Sequence, residues 1–141
     1  MINDRDAALS IALFCRLNTR AKSTKPLRGS ELGLLCYLGS EDTEHTAAAA
    51  AAFFMISRAA VSAMVKSLMA KNLILKEQSE IDARNYNLRL TEEGERIRQI
   101  VEEAYESRMR ILRDSMGSED FDTFIRLLDR ANEIISGELM K

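Results

Sequence analysis

Apolar and polar positions along this chain follow two different periods, and the switches between them mark out its elements. Residues 7–17 (Ala-Ala-Leu-Ser-Ile-Ala-Leu-Phe-Cys-Arg-Leu) are apolar almost all the way round a helix, where a surface helix would show a single stripe. Such a helix needs cover on several sides, from its own body and from a second subunit. A basic linker follows, carrying Arg20, Lys22, Lys25, Pro26 and Arg28. Ser30 stands where it can cap a short helix Glu31–Leu38, and Gly39 where it can end that helix in a left-handed conformation. Glu41-Asp42-Thr43-Glu44 places negative charge before and at the start of the next helix, which the helix dipole favours. That helix is built on the alanine run Ala47–Ala52 and ends near Phe54-Met55. His45, at its start, reads as an exposed or capping residue.

Ser57 caps a further helix from Arg58 to about Lys71, and Asn72 occupies the left-handed position after it. The apolar run Leu73-Ile74-Leu75, a polar stretch over residues 76–84, and the alternation of Tyr86, Leu88 and Leu90 predict a β-hairpin with its tip near 79–83. Thr91 caps a long helix to about Ser115, with Ile97, Val101, Ala104, Arg108, Ile111 and Leu112 at three- and four-residue steps. After Gly117-Ser118 a last helix presents Phe121, Phe124, Ile125, Leu128 and Ile135. Two amphipathic helices beyond an already complete small body need a partner surface to bury their stripes. The expected class is mainly α with a small β-hairpin wing: a winged helix-turn-helix plus a helical dimerisation region. Residues 1–24 and 93–141 are assigned to a homodimer interface, through Leu9, Leu13 and Leu17 at one end and the last helix's apolar residues at the other. Residues 25–92 form the winged part.

Composition narrows the function. At 141 residues the chain fits one domain, or one with a dimerisation appendage. Arg16, Arg58 and Lys66 interrupt the best candidates for a membrane helix, and Met1–Asp6 lacks the basic start of a secretory signal, so a cytoplasmic protein off the membrane is expected. Cys15 and Cys36 lack metal-ligand spacing, and His45 is the single histidine. No metal or cofactor is expected, and with no nucleophile–base pair the chain reads as a non-enzyme. The net charge of −2 conceals a split, +3 over residues 1–90 and −5 over 91–141. A mildly basic body with an acidic tail suits contact with DNA through the body alone.

The chemistry concentrates in residues 46–71, a helix, a short turn and a second, two-sided helix. Val61, Met64, Val65 and Leu68 share one arc, and Arg58, Ala59, Ser62, Ala63 and Lys66 the other. Small residues let a helix backbone sit deep in a major groove, while hydroxyls and cations reach bases and phosphates. On this segment alone, a surface helix with solvated Arg58 and Lys66 fits equally well. The hairpin adds Asp82-Ala83-Arg84, followed by Leu90-Thr91-Glu92-Glu93-Gly94. Here the chain resembles the MarR family of regulators, whose wing tip carries Asp-x-Arg and whose next helix opens with Leu-Thr-x-x-Gly. Ile56-Ser57 and Val61-Ser62 resemble that family's recognition-helix start, and Leu73-Ile74 its first wing strand. Ala59-Ala60, Asn72 and Asn85 depart from its usual residues.

The resemblance implies a homodimeric regulator of transcription, commonly a repressor, bound to double-stranded DNA at a near-palindromic operator. It implies that Ser57, Arg58, Ala59, Ser62 and Lys66 meet the major groove. Arg84 would enter the adjoining minor groove with Asp82 holding its guanidinium. It also implies release by a small aromatic or lipophilic effector, or by an oxidant acting on a first-helix cysteine, for which Cys15 is the candidate redox sensor. The other reading of Cys15 is a small buried hydrophobe, and Cys36 reads as core. The rival function is a winged helix used for protein–protein contact without specific DNA binding.

Overall fold

The computed structural model describes residues 1–18, 27–41, 45–78 and 86–141. In chain order they form α1 (Asp4–Asn18), α2 (Gly29–Leu38), α3 (Ala47–Phe54), α4 (Arg58–Ala70), β1 (Ile74–Gln78), β2 (Tyr86–Leu90), α5 (Glu92–Met116) and α6 (Ser118–Leu139). The class is mainly α with one antiparallel hairpin, as the hydrophobic pattern predicts. Packing divides the chain into two units, Met1–Tyr105 and Glu106–Lys141.

The core of the first unit is aliphatic. Leu34 and Leu35 of α2, Val61, Val65 and Leu68 of α4, Leu73 and Ile74 entering β1, Leu88 of β2, and Ile97 and Val101 of α5 are all essentially inaccessible. Each such side chain contributes about 1.5–3 kcal/mol relative to exposure. Ala50 and Ala51 are buried too, so the alanine run serves as a flat surface for close packing.

Three local expectations need correcting. Helix α2 begins at Gly29, not Glu31, and its N-cap is Arg28 rather than Ser30. The Arg28 N–H donates to the Glu31 carboxylate at 3.3 Å, so the acid three residues into the helix does the capping. Gly39 closes α2 with φ −81° and ψ −11°, a right-handed conformation. Its small size matters instead, because a Cβ there would run into the stem of Arg98. Third, the first turn of α3 holds no acid; the Thr46 hydroxyl caps it, accepting from the Ala49 N–H at 3.0 Å.

The hairpin is longer than its apolar residues suggest. Lys76, Glu77 and Gln78 belong to β1 and pair with Leu88, Asn87 and Tyr86. Backbone pairing carries the strand through this polar stretch, supported by Lys76 over the Tyr86 ring at 4.4 Å and by an Arg89–Glu77 ion pair at 2.6 Å. A short third segment joins the sheet, with Thr46 bridging Asn87 and the Leu88 N–H donating to the His45 carbonyl at 2.7 Å. His45 is therefore neither a cap nor exposed. It is half-buried, its Nε2 2.6 Å from the Ser40 carbonyl oxygen.

In the second unit, Gly117 at φ 91° precedes α6, a conformation that L side chains rarely adopt. Phe121 is buried, with the Arg113 guanidinium 4.5 Å from its ring centre.

Candidate nucleic-acid interface

The axes of α3 and α4 turn through 117° across the break at 55–57, within the range of a helix-turn-helix. The turn is made without glycine. Met55 takes φ 54° and ψ 44°, a left-handed conformation costing roughly 1–2 kcal/mol for a residue with a side chain. Two backbone bonds offset it, Met55 N–H to the Ala52 carbonyl at 3.2 Å and Ile56 N–H to the Ala51 carbonyl at 3.1 Å. Ser57 then caps α4, its hydroxyl accepting from the Ala60 N–H at 3.0 Å. Asn72 ends that helix at φ 59°, as its position predicts.

The two-sidedness of α4 is complete. Val61, Val65 and Leu68 are buried and Met64 half-buried, while Ser57, Arg58, Ala59, Ser62, Ala63 and Lys66 are all exposed. No carboxylate occurs between Ser57 and Lys71, so the outward arc carries Arg58 and Lys66 with no acid on the same helix. Asp82 and Arg84 lie outside the described residues; β1 and β2 lead to them.

One polar group in this region was not legible beforehand. Glu31, 2% exposed, is the one charged residue among the buried residues described; the others are apolar or Tyr37. Its carboxylate accepts from Ser67 Oγ at 3.0 Å and from Lys71 Nζ at 3.0 and 3.3 Å, besides the Arg28 N–H. Burial pushes this carboxyl up, but the bonds from Lys71, Ser67 and Arg28 outweigh it and hold it below its ordinary range. Glu31 stands three residues after the N-cap Arg28, and its partners are 36 and 40 residues away, beyond the reach of local pattern.

Downstream, the Leu-Thr-x-x-Gly motif has a physical account. Leu90 pairs with Ile74 across the hairpin. The Thr91 hydroxyl accepts from the Gly94 N–H at 2.9 Å and donates to the Asn72 carbonyl at 2.7 Å, while the Thr91 N–H reaches the Leu73 carbonyl at 3.0 Å. Gly94 is required by contact, because a Cβ there would strike the Leu73 carbonyl oxygen. The motif thus bolts the start of α5 to the residues between α4 and β1.

No family model and no curated protein sequence matches the chain. Solved structures do. Streptococcus pneumoniae FabT, determined in complex with DNA, superposes with a TM-score of 0.78 at 18% identity, over 94% of this chain and 96% of that one. A MarR protein from Peptoclostridium difficile gives 0.79 at 18% identity, over 99% and 95%. The PcaV transcriptional regulator of Streptomyces coelicolor, in complex with its natural ligand, gives 0.70 at 19% identity, over 90% and 88%. The chain has the MarR-type winged-helix fold.

In this MarR-type frame α3 and α4 are the helix-turn-helix and β1–β2 the wing. The residues assigned to a dimer face fall on both units. On α1, Leu9, Leu13 and Leu17 are about half exposed or more, and Cys15 is exposed. On α6, Ile135 is exposed, Phe124, Ile125 and Leu128 are half-buried, and Phe121 is buried. Cys36 is half-buried against the first unit's core. Among the described residues no three His, Cys, Asp or Glu side chains cluster as a metal site, and no single helix is long and apolar enough to cross a membrane.

Proposed function

We propose that this chain is a sequence-specific DNA-binding transcriptional regulator that works as a homodimer in the cytoplasm, repressing by occluding a promoter. The observation that carries the reading is the outward arc of α4, where Ser57, Arg58, Ala59, Ser62 and Lys66 stand exposed beside a hairpin. In the proposed complex α4 lies in a major groove, where Arg58 and Lys66 meet base edges or phosphates and Ala59 permits close approach. Arg84 enters the adjoining minor groove, whose negative potential favours guanidinium, and Asp82 orients it. A neighbour determined in complex with DNA supports DNA as the partner. The exposed apolar residues of α1 and α6 support the homodimer and the assignment of 1–24 and 93–141 to its interface. A two-fold dimer presents two identical heads, so the operator is a near-palindrome with half-sites about 10 bp apart. Relief comes from a small aromatic or lipophilic effector, or from an oxidant acting on Cys15; a neighbour in complex with its natural ligand supports the former.

The test is selection of bound duplexes followed by titration at several salt concentrations. A near-palindromic consensus is expected, with affinity falling steeply as salt rises. Arg84→Ala should weaken binding to that duplex by about 1–3 kcal/mol, roughly ten- to a hundredfold, with the melting temperature unchanged. A selection that enriches nothing sinks the reading. It would leave the rival protein-contact module, which Phe53, 62% exposed beside the α3–α4 turn, favours. Retention on heparin or duplex DNA separates the two.

A further inference from the structure

The shared boundary of α2 and α4 is apolar except at one point. Every buried residue on the two helices other than Glu31 is Leu, Val or Tyr. Apolar contact is non-directional and tolerates sliding by fractions of an ångström. A carboxylate with donors at 3.0–3.3 Å does not. Ser67 and Lys71 are one helical turn apart, so together they fix both the height and the rotation of α4 against the start of α2. Ser67 lies in the last turn of α4 and Lys71 is the residue that caps it, both beyond the outward arc that begins at Ser57 and reaches Lys66.

A buried ion pair is a poor way to gain stability. Desolvation of the Glu31 carboxylate, and in part of Lys71, whose side chain is 28% exposed, offsets much of the attraction, and apolar residues of similar shape often do as well. What it distinguishes is one pose among several of similar energy. Pose is what base reading demands, since side chains must be held within about 0.5 Å of their productive positions.

Resting on the DNA-binding reading above, we infer that Glu31 is a positioning residue for sequence discrimination: its clamp on Ser67 and Lys71 sets the pose of α4 in the groove. It touches no DNA and acts through α4. Loss of the clamp leaves phosphate contacts, which tolerate small shifts, and degrades base contacts, which do not.

The experiment compares wild type, Glu31→Gln, Lys71→Met and the double variant Glu31→Met/Lys71→Met. Melting temperature is measured first. Affinities for the selected duplex and for a scrambled duplex of equal length follow, at a temperature where every protein is folded. Glu31→Gln should lose about tenfold on the selected duplex and stay within about twofold on the scrambled one. The double variant should melt at or above the wild-type temperature yet show the same collapsed ratio, so stability and discrimination move apart. Lys71→Met should lower the ratio as Glu31→Gln does; a fall in both affinities with the wild-type ratio kept would make Lys71 a phosphate contact and count against the clamp. Wild-type ratios in Glu31→Gln and in the double variant overturn the inference. If the double variant does not fold, Glu31→Gln alone decides. A wild type that prefers no duplex fails the DNA-binding reading itself, and the inference with it. A wild type that discriminates beside variants that do so equally fails the inference only.

Discussion

Helices α1 and α2 are both rich in leucine, and each carries one cysteine, yet they meet opposite fates. Six of the ten residues of α2 are buried, whereas α1 has no buried residue across its fifteen. On α1, Leu9, Ile11 and Leu13 are 59%, 62% and 53% exposed, while Leu34 and Leu35 on α2 have no accessible surface. Apolar character states that a helix needs cover. It does not state whose side chains supply it. For α2 the cover is the chain's own α4 and β2, and for α1 the proposal is a second copy.

Charge substitution breaks the comparison most sharply. Leu35→Asp puts a carboxylate where no water reaches, which costs upwards of about 4 kcal/mol even if the group neutralises. Against a total stability of about 5–15 kcal/mol for a domain, the variant is expected to be largely unfolded, read as loss of its cooperative thermal transition. Leu13→Asp should leave each copy's helical signal nearly intact. It should weaken dimerisation by about 3–5 kcal/mol, more than a hundredfold, because the charge is unpaired in the assembled interface. Light scattering at micromolar concentration checks this. A wild type that is monomeric there, or a Leu13→Asp that stays dimeric, would remove α1 from the interface.

The same contrast explains what could be read from the sequence. Most features set by a few adjacent residues are legible, namely the Ser57 and Thr91 caps, Asn72 in its left-handed position and the two arcs of α4, although Ser30 is not the cap its residue type suggests. The Leu-Thr-x-x-Gly motif was legible as a resemblance, and its cause, the close approach of Gly94 to the Leu73 carbonyl, emerged from the packing. Features set by distant partners were not. Nothing near Lys76–Gln78 indicates a strand; its pairing partners do. Met55 is left-handed because the chain must turn there, without a glycine to advertise it. Gly39 does stop α2, but in a right-handed conformation, and what calls for its small size is the distant Arg98. From the sequence Glu31 is only the expected first residue of α2, and its partners Ser67 and Lys71 come only with the tertiary structure. Of the candidate interface, the helix was legible residue by residue, while Asp82 and Arg84 remain assignments by resemblance outside the described residues.

The two cysteines give the comparison its finest test. On α2, burial first and the Glu102 carboxylate second push the Cys36 thiol up to about 11, against 9.0 ordinarily. The thiolate is the reactive form, so at pH 8 only about one Cys36 in a thousand is ionised. A maleimide at neutral pH should therefore modify Cys15 first and reach Cys36 only slowly, or when the fold opens. The sign for stability follows. The unfolded thiol ionises near 9 and the folded one near 11, so the Cys36 contribution is full below pH 9 and declines as pH climbs toward 11. Cys36→Ser exchanges a half-buried thiol for a more polar hydroxyl and should cost about 1–2 kcal/mol. Cys15→Ser is the smallest effect, within about 0.5 kcal/mol, with resting DNA affinity unchanged. Two outcomes then sharpen it. Cys15 should label more slowly in the wild-type dimer than in Leu13→Asp, because the proposed partner covers α1. An organic hydroperoxide should release DNA from wild type and not from Cys15→Ser. Equal release from both proteins would return Cys15 to a packing role and leave the small-molecule route as the signal.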